Sequence, residues 1–291
     1  MQASLRKTLE NWRATWRETE MDGKLEARKT WGASPTGWTS AREEIPGTVA
    51  FFEKARTFRD TIEQPWLGDV IPFHETRKRR VLEIGFGPGY DALKFLQAGA
   101  VYSGIDITPE NVVRTKQHLA PFGFSPDVQH GDAENLPFDD KTFDVVYSNG
   151  VLHHVPDIQK AFQEVHRVLR PGGELMILIY NRMSVFYMGV VLIHFLTGGF
   201  LKQTLAQRRS GIEATDADAE PIVNVYSRKE IAAILSSEHF SIKSIVCRKC
   251  TPDDFPASSK FGIVYKAVPQ FVYNTLGQYA GWYLIVRAIR S

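Results

Sequence analysis

Three short stretches of this sequence carry residue types whose spacing suits a bound nucleoside. In Arg80-Val81-Leu82-Glu83-Ile84-Gly85-Phe86-Gly87-Pro88-Gly89-Tyr90, an apolar strand runs into a glycine-rich turn, and a helix begins just after. Glycine takes dihedrals closed to other residues and lets a ligand approach closely. The helix N-terminus adds unpaired N–H groups and a positive dipole. A tight turn that binds nothing has the same pattern. Asp106 stands roughly 20 residues beyond the turn, where a carboxylate can accept from both hydroxyls of a ribose. That placement suits NAD as well as other adenosine cofactors. The alternative is a helix N-terminal charge, because Asp106 precedes Thr108-Pro109. The third stretch, Gly131-Asp132-Ala133-Glu134-Asn135-Leu136-Pro137-Phe138, falls on the rim where open sheets bind ligands. A carboxylate there can accept from an exocyclic adenine amine, and a backbone N–H beside it can donate to a ring nitrogen.

The elements that must position these residues alternate. From Arg80 onward strand and helix patterns repeat, which predicts a mostly parallel sheet covered on both faces. Strands are expected at Val81–Ile84, Val101–Ile107, Val128–His130, Phe143–Ser148, Glu174–Tyr180, Phe240–Val246 and Trp282–Ile289. A helix spans Tyr90–Gln97 and ends at Gly99, and another runs from the Thr108-Pro109 cap to about Leu119. After the Asp157 cap, Ile158, Ala161, Phe162, Val165, Val168 and Leu169 recur at helical spacing until Pro171-Gly172-Gly173 stops the helix. Ser227-Arg228-Lys229-Glu230 is a capping box ahead of Ile231–Leu235.

Before this pattern lies an extension with Leu5, Leu9, Trp12 and Trp16 at helical spacing, a loop at Trp31–Pro46 and a helix at Gly47–Asp60. It either packs as a cap or closes as a lid that excludes water. Met183–Leu201 has no formally charged residue. The first reading is a buried helix or cap after strand five. The second is a membrane-surface patch or acyl-substrate wall. The third is a transmembrane span, which His194, Thr197 and the glycines weaken. Gln203–Ile222 reads as polar loop, and Phe261–Gln278 as a second, aromatic-rich insert.

Composition narrows the function. The chain has 291 residues and a formal net charge of +2, too little for a nucleic-acid surface. Arg77-Lys78-Arg79-Arg80 reads as a solvated approach to the first strand. Cys247 and Cys250 have redox or half-metal spacing but no second pair. They read as two quiet cysteines in a reducing compartment, and no metal is expected. The charged, helix-like Met1–Glu26 lacks the apolar segment of a signal peptide, so a cytoplasmic location is expected.

As an ordered set, the motifs resemble the class I S-adenosylmethionine-dependent methyltransferases, in the branch of the ubiquinone and menaquinone biosynthesis methyltransferases. The matching pieces are Val81–Gly89, Gly104-Ile105-Asp106-Ile107-Thr108, Gly131–Phe138, Phe143–Ser148 and His166-Arg167-Val168-Leu169-Arg170-Pro171-Gly172-Gly173. They cover about Arg80 to Tyr180. The resemblance implies an α/β fold: a Rossmann-like seven-stranded mixed sheet with helices on both faces, whose seventh strand enters antiparallel. An N-terminal helical cap would occupy 1–75 and the methyltransferase domain 76–291, with inserts after strand five (about 183–222) and between strands six and seven (about 251–280).

The resemblance also implies a cofactor, S-adenosylmethionine, with S-adenosylhomocysteine as product. Glu83, Gly85, Gly87 and Gly89 would surround its methionine part, Asp106 would bind the ribose, and Ile107 would pack on adenine. Asp132 and Ala133 would read the adenine edge, and Asn149 and Gly150 would hold the ammonium by backbone carbonyls. Phe86 stands where many members have a smaller residue, which narrows the pocket. The implied reaction is in-line displacement at the sulfonium methyl, with alignment and sometimes proton removal as the protein's task. His153 or His154 could take a proton near neutral pH. Their alternative is holding the loop. Tyr180 could orient an acceptor, and Arg182 could pair with a carboxylate or phosphate or simply face solvent. The expected acceptor is a small, partly hydrophobic metabolite methylated on oxygen or carbon. Peripheral membrane contact through 183–201 and a monomer or homodimer complete the expectation. The rivals are an NAD-dependent oxidoreductase and a non-enzymatic cofactor-binding or membrane-associated scaffold.

Overall fold

The apolar runs of the sequence become strands, and the central ones are buried on both faces. The fold, a computed structural model, describes residues 21–34, 37–211, 213, 219–255 and 265–291. β1 (Arg80–Ile84), β2 (Val101–Asp106), β3 (Asp127–His130), β4 (Phe143–Asn149), β5 (Leu169–Tyr180), β6 (Phe240–Arg248) and β7 (Tyr283–Arg290) form one seven-stranded sheet in the order β3-β2-β1-β4-β5-β7-β6. β1 to β5 pair in parallel. β7 enters antiparallel between β5 and β6, as expected, which explains its apolar run Tyr283–Val286. Strand order reverses between β1 and β4, and an open sheet binds ligands outside the carboxyl ends of its strands at such a point.

Helices cover both faces. α1 spans residues 21–33, and α2 (Val49–Phe58) and α3 (Leu67–Val70) precede the sheet. α4 (Tyr90–Gln97), α5 (Pro109–Leu119) and α6 (Ile158–Val168) connect its first five strands. α7 (Val185–Leu196), α8 (Leu205–Ser210) and α9 (Arg228–Ser237) lie between β5 and β6, and α10 (Gln270–Ala280) lies before β7. Ala161, Phe162, Val165 and Val168 of α6 pack with Ile231 and Leu235 of α9 on one face. Leu93 and Phe95 of α4 pack with Tyr147 and Met176 on the other.

Several expectations change. Trp12, Trp16, Leu5 and Leu9 lie outside the described residues. Trp31 belongs to α1 rather than to a loop, because its ring finds a tertiary partner in His154, 5.3 Å away between centroids. α2 continues as a π turn over Arg59–Glu63. Pro171-Gly172-Gly173 does not merely stop α6. It forms a bulge inside β5, so that Leu169 pairs with Phe143 but Glu174 pairs with Val145. The polar stretch after Gln203 contains α8, opened by a Thr204–Gln207 capping box.

The apolar insert is not buried. α7 sinks Tyr187, Gly189 and His194 but exposes Met188, Leu192, Phe195 and Leu196, and the turn beyond exposes Phe200 and Leu201. Its Gly198-Gly199 turn folds the chain back before the helix can lengthen. Among the described residues no helix is long and apolar enough to cross a membrane.

The glycine turn after β1 is held from behind. Gly85, Gly87 and Gly89 all have positive φ, at 77°, 53° and 82°. Asp106 Oδ2 accepts from Gly87 N at 2.8 Å, Thr115 Oγ1 donates to Gly87 O at 2.7 Å, and His118 Nδ1 donates to Pro88 O at 2.8 Å. The His118 ring stacks on Phe52 with centroids 4.9 Å apart. Burial pushes its pKa down to about 4, against a smaller upward pull from the Pro88 carbonyl. The unfolded chain therefore binds more protons than the native one between pH 6.5 and about 4. His118 contributes stability that is fully present above pH 6.5 and is lost as the pH falls to about 4. Denaturant unfolding should show wild type losing about 3 kcal/mol more than His118→Gln across that window. Equal losses would remove His118 from the acid response. Separately, Phe162→Ala should cost about 3–5 kcal/mol in the same assay, because its ring is fully buried.

Candidate active site

Two cavities open at the carboxyl ends of β1, β2 and β4. They share Gly85, Gly87, Asn149 and Gly150 of the strand ends and Trp31 of α1 as lining. The first is largely apolar, walled by Ile84, Ile105, Ile107 and Val151, with Asp106 and Asp132 as its acids. The second is polar, lined by Arg59, Glu63, Gln64, Glu83, Asp91 and the tyrosines 90, 180 and 283. Both follow from the turn geometry. A Cβ on Gly85 would meet Val151 at 2.2 Å, whereas at Gly87 and Gly150 it would project into open space. Gly89 lines neither cavity. It is the left-handed N-cap of α4, packed against Thr115.

The structure brings the expected acids to the first cavity, already engaged. Asp106 Oδ1 accepts from Thr108 N at 2.8 Å and Asn111 Nδ2 at 3.2 Å, while Oδ2 takes Gly87 N. A carboxylate has about four lone-pair sites, so Asp106 keeps room for one further donor rather than two. It caps the β2–α5 turn as well as facing the cavity. Burial raises the Asp106 pKa, against those same N–H bonds. Asp132 Oδ1 accepts from Glu134 N at 2.9 Å, and its Oδ2 pairs with Lys24 Nζ at 2.8 Å. Ile107 and Ala133 also line this cavity.

A buried ion pair organises the second cavity. Arg59, on the π turn, forms a bidentate pair with Asp91 of α4 at 2.6 and 2.7 Å. Asp91 also accepts from Tyr147 Oη at 2.8 Å and Asn149 Nδ2 at 3.1 Å. Burial alone would raise the Asp91 pKa, but the Arg59 charge and hydrogen bonds more than reverse this and hold it below the usual carboxylate range. Glu83 behaves oppositely. Burial, then the nearby Asp91 charge, push its pKa well up, although Tyr102 Oη donates to it at 2.7 Å. Asn149 is fixed by Gln64 Oε1, which accepts from its Nδ2 at 2.9 Å. Tyr90 Oη, in the wall, is buried and without a hydrogen-bond partner.

The four residues considered for chemistry separate. His154 lines the first cavity. Its Nδ1 donates to Ile222 O at 2.6 Å, which leaves Nε2 as the acceptor, buried and without a partner. Burial lowers its pKa, so the ring is neutral at neutral pH. His153 lines neither cavity. It is fully buried with its ring centroid 3.8 Å from that of Tyr180, and burial lowers its pKa well below the ordinary value. Tyr180 reaches the second cavity, where its hydroxyl donates to Glu213 and its ring stacks on Trp282. Arg182 is not brought to either cavity. It pairs with Glu230 at 2.6 Å and donates to Val225 O at 3.0 Å. No residue of 183–201 lines either cavity. Cys247 and Cys250 are free and buried, and burial pushes the Cys250 thiol up to about 11.

Sequence reasoning missed Arg59, Asp91, Gln64, Glu63, Trp31 and Lys24. Arg59 and Asp91 are 32 residues apart and belong to no local motif. Asp91, next to the glycine turn, carried only the weak signal of an acid in a helix's first turn.

Comparison with known proteins places the chain. A protein-family model describing a methyltransferase domain matches residues 82–177. An uncharacterized methyltransferase, YcgJ of Bacillus subtilis strain 168, is 36% identical over 132 residues, 44% of this chain and 52% of that protein. The ubiquinone biosynthesis O-methyltransferase of Haemophilus ducreyi is 34% identical over 119 residues, 39% of this chain and 50% of that protein. The chain thus spans about half the length of these curated relatives. Among solved structures, YcgJ has a TM-score of 0.53 at 24% identity, covering 78% of this chain and 98% of that one. The [4+2]-cyclase SpnF has a TM-score of 0.53 at 18% identity, covering 82% and 81%. The last two show a shared fold. The ordered motifs from β1 to β5, the sheet order and the match over residues 82–177 identify a class I S-adenosylmethionine-dependent methyltransferase domain.

Proposed function

We propose that this chain transfers a methyl group from S-adenosylmethionine to a small-molecule acceptor, leaving S-adenosylhomocysteine. The observation that carries this reading is the junction of an apolar and a polar cavity at Gly85, Gly87, Asn149 and Gly150. The lining fits the cofactor: open space at Gly87 and Gly150, the unpartnered His154 Nε2 and Tyr90 Oη, and acids at both ends. Ile107, Asp132 and Ala133 would hold adenine, and Asp106 one ribose hydroxyl. Glu83, Gln64, Asn149 and the Arg59–Asp91 pair would border the methionine end. The bound cofactor would supply an electrophilic methyl on a sulfonium.

The chain's own part is alignment, water exclusion and disposal of a proton. Trp31, Tyr180 and Tyr283 offer aromatic surface to an acceptor with an apolar portion. Glu63 and the Tyr180–Glu213 pair put carboxylates where an oxygen or activated-carbon acceptor can lose its proton. His154 Nε2 is the alternative acceptor of that proton. Calorimetric titration of the full chain with S-adenosylhomocysteine should give saturable binding, and NAD should give no heat. Asp106→Ala should weaken that binding at least tenfold and also lower Tm, since it removes three hydrogen bonds from the turn. Unchanged affinity would overturn the ribose assignment, and absence of binding by wild type would overturn the function.

A second proposal concerns where the chain works. The outward face of α7 and the Phe200-Leu201 tip suit the surface of an anionic membrane. At 12 residues α7 rises about 18 Å, short of the roughly 30 Å hydrocarbon core, so it would lie on the bilayer. Residues 183–211 contain Lys202, Arg208 and Arg209 and no Asp or Glu. Charge complementarity therefore favours anionic lipid over a second copy of the same basic face. Flotation should recover the protein with vesicles of phosphatidylcholine plus phosphatidylglycerol but not phosphatidylcholine alone. Phe200→Glu with Leu201→Glu should abolish it. A dimer by light scattering that does not bind vesicles would assign the face to self-association instead.

A further inference from the structure

The acid on the adenine side of the first cavity is not free to move, and what restrains it comes from outside the sheet. Lys24, on α1, places its Nζ 2.8 Å from Asp132 Oδ2 and 2.6 Å from Glu134 Oε2. The Glu134 side chain is fully buried, and its other oxygen accepts from Asp157 N, the cap of α6, at 2.8 Å. Among the described residues Lys160 also approaches Glu134, but at 3.9 Å and 48% exposed, against 19% for Lys24. The two carboxylates would repel each other, and a buried carboxylate stripped of its partner is strongly disfavoured. One ammonium therefore bridges both.

The same contact lays α1 along the cavity. Lys24, Ala27 and Trp31 all line it. Further along α1, Glu26 Oε2 accepts from Glu220 N at 3.0 Å, and Gly32 O accepts from Arg114 Nη2 at 2.7 Å. Those two bonds fix the helix at its polar edge and its end. The Lys24 bridge fixes the helix ahead of them, at Asp132.

We propose that Lys24 is a positioning residue of the adenosine site. It holds Asp132 in the orientation that keeps Oδ1 on the Glu134 N–H, and it seats α1 over the cavity. This inference rests on reading the first cavity as the adenosine end of the cofactor site. The ligand class it governs is the adenine nucleoside, not the methyl acceptor.

The test uses the full chain and two probes, S-adenosylhomocysteine and adenosine alone. Calorimetry should show Lys24→Met weakening both probes at least tenfold and by a similar factor, because Lys24 itself lines the first cavity and not the second. Lys24→Arg should come within threefold of wild type. Chymotrypsin should cut α1 at Leu25 or Trp31 faster in Lys24→Met, and S-adenosylhomocysteine should slow that cut in wild type. Lys24→Met binding within twofold of wild type would overturn the proposal, as would a Lys24→Arg loss equal to that of Lys24→Met. If wild type binds neither probe, the methyltransferase reading fails. The seating of α1 is then judged by ligand-free proteolysis alone, where equal cutting of wild type and Lys24→Met overturns it. Should Lys24→Met not fold, Lys24→Arg and Lys24→Gln supply the same comparison.

Discussion

The bidentate Arg59–Asp91 pair is the interaction on which the site depends. It joins the π turn after α2 to the first turn of α4, and Asp91 in turn binds Tyr147 and Asn149 of β4. Three separate elements are thereby fixed around one carboxylate. Such a pair adds little net stability when compared with a well-packed apolar substitute. Its consequence is geometric, because a fork of two parallel hydrogen bonds admits one orientation. Arg59 holds the Asp91 pKa down, while burial, and then the Asp91 charge beside it, push that of Glu83 up.

The glycine turn is constrained in the same manner. Its left-handed residues would be free to take other shapes, yet Asp106, Thr115 and His118 each hold one of its backbone groups. Asp106 serves two purposes at once, and this explains why its carboxylate has less capacity for a ligand than its position in the sequence implies. His118 makes the turn sensitive to protons through a group that touches neither cavity. The opening to solvent is bounded by α1, whose charged and aromatic residues meet the sheet only through tertiary contacts.

Much of the fold was legible in the sequence. Strands β1 to β4 and the helices α4 to α6 were placed within one or two residues, because local period and caps specify them, whereas β5 begins at Leu169 rather than at Glu174. The Pro171-Gly172-Gly173 stretch was misread because a bulge and a helix stop share the same residues, and only pairing with β4 separates them. α8 carried a readable capping box in Thr204 and Gln207 that the surrounding polarity obscured. α7 was expected to be buried because its composition is apolar. Composition records what a helix could bury, not whether a neighbour covers it.

The sequence by itself determined the sheet, the glycine turn, the two acids Asp106 and Asp132, and the family they belong to. These are short-range patterns, and each rests on residues close together along the chain or on a fixed order of motifs. Tertiary structure alone decided which of the chemically suitable residues meet. It turned Arg182 to Glu230, buried His153 behind Tyr180 and set His154 in a cavity wall. It also brought Lys24 to Asp132 and Arg59 to Asp91. Those pairings form because a buried charge must find its partner wherever the packed chain supplies one, and sequence distance sets no limit on where that is.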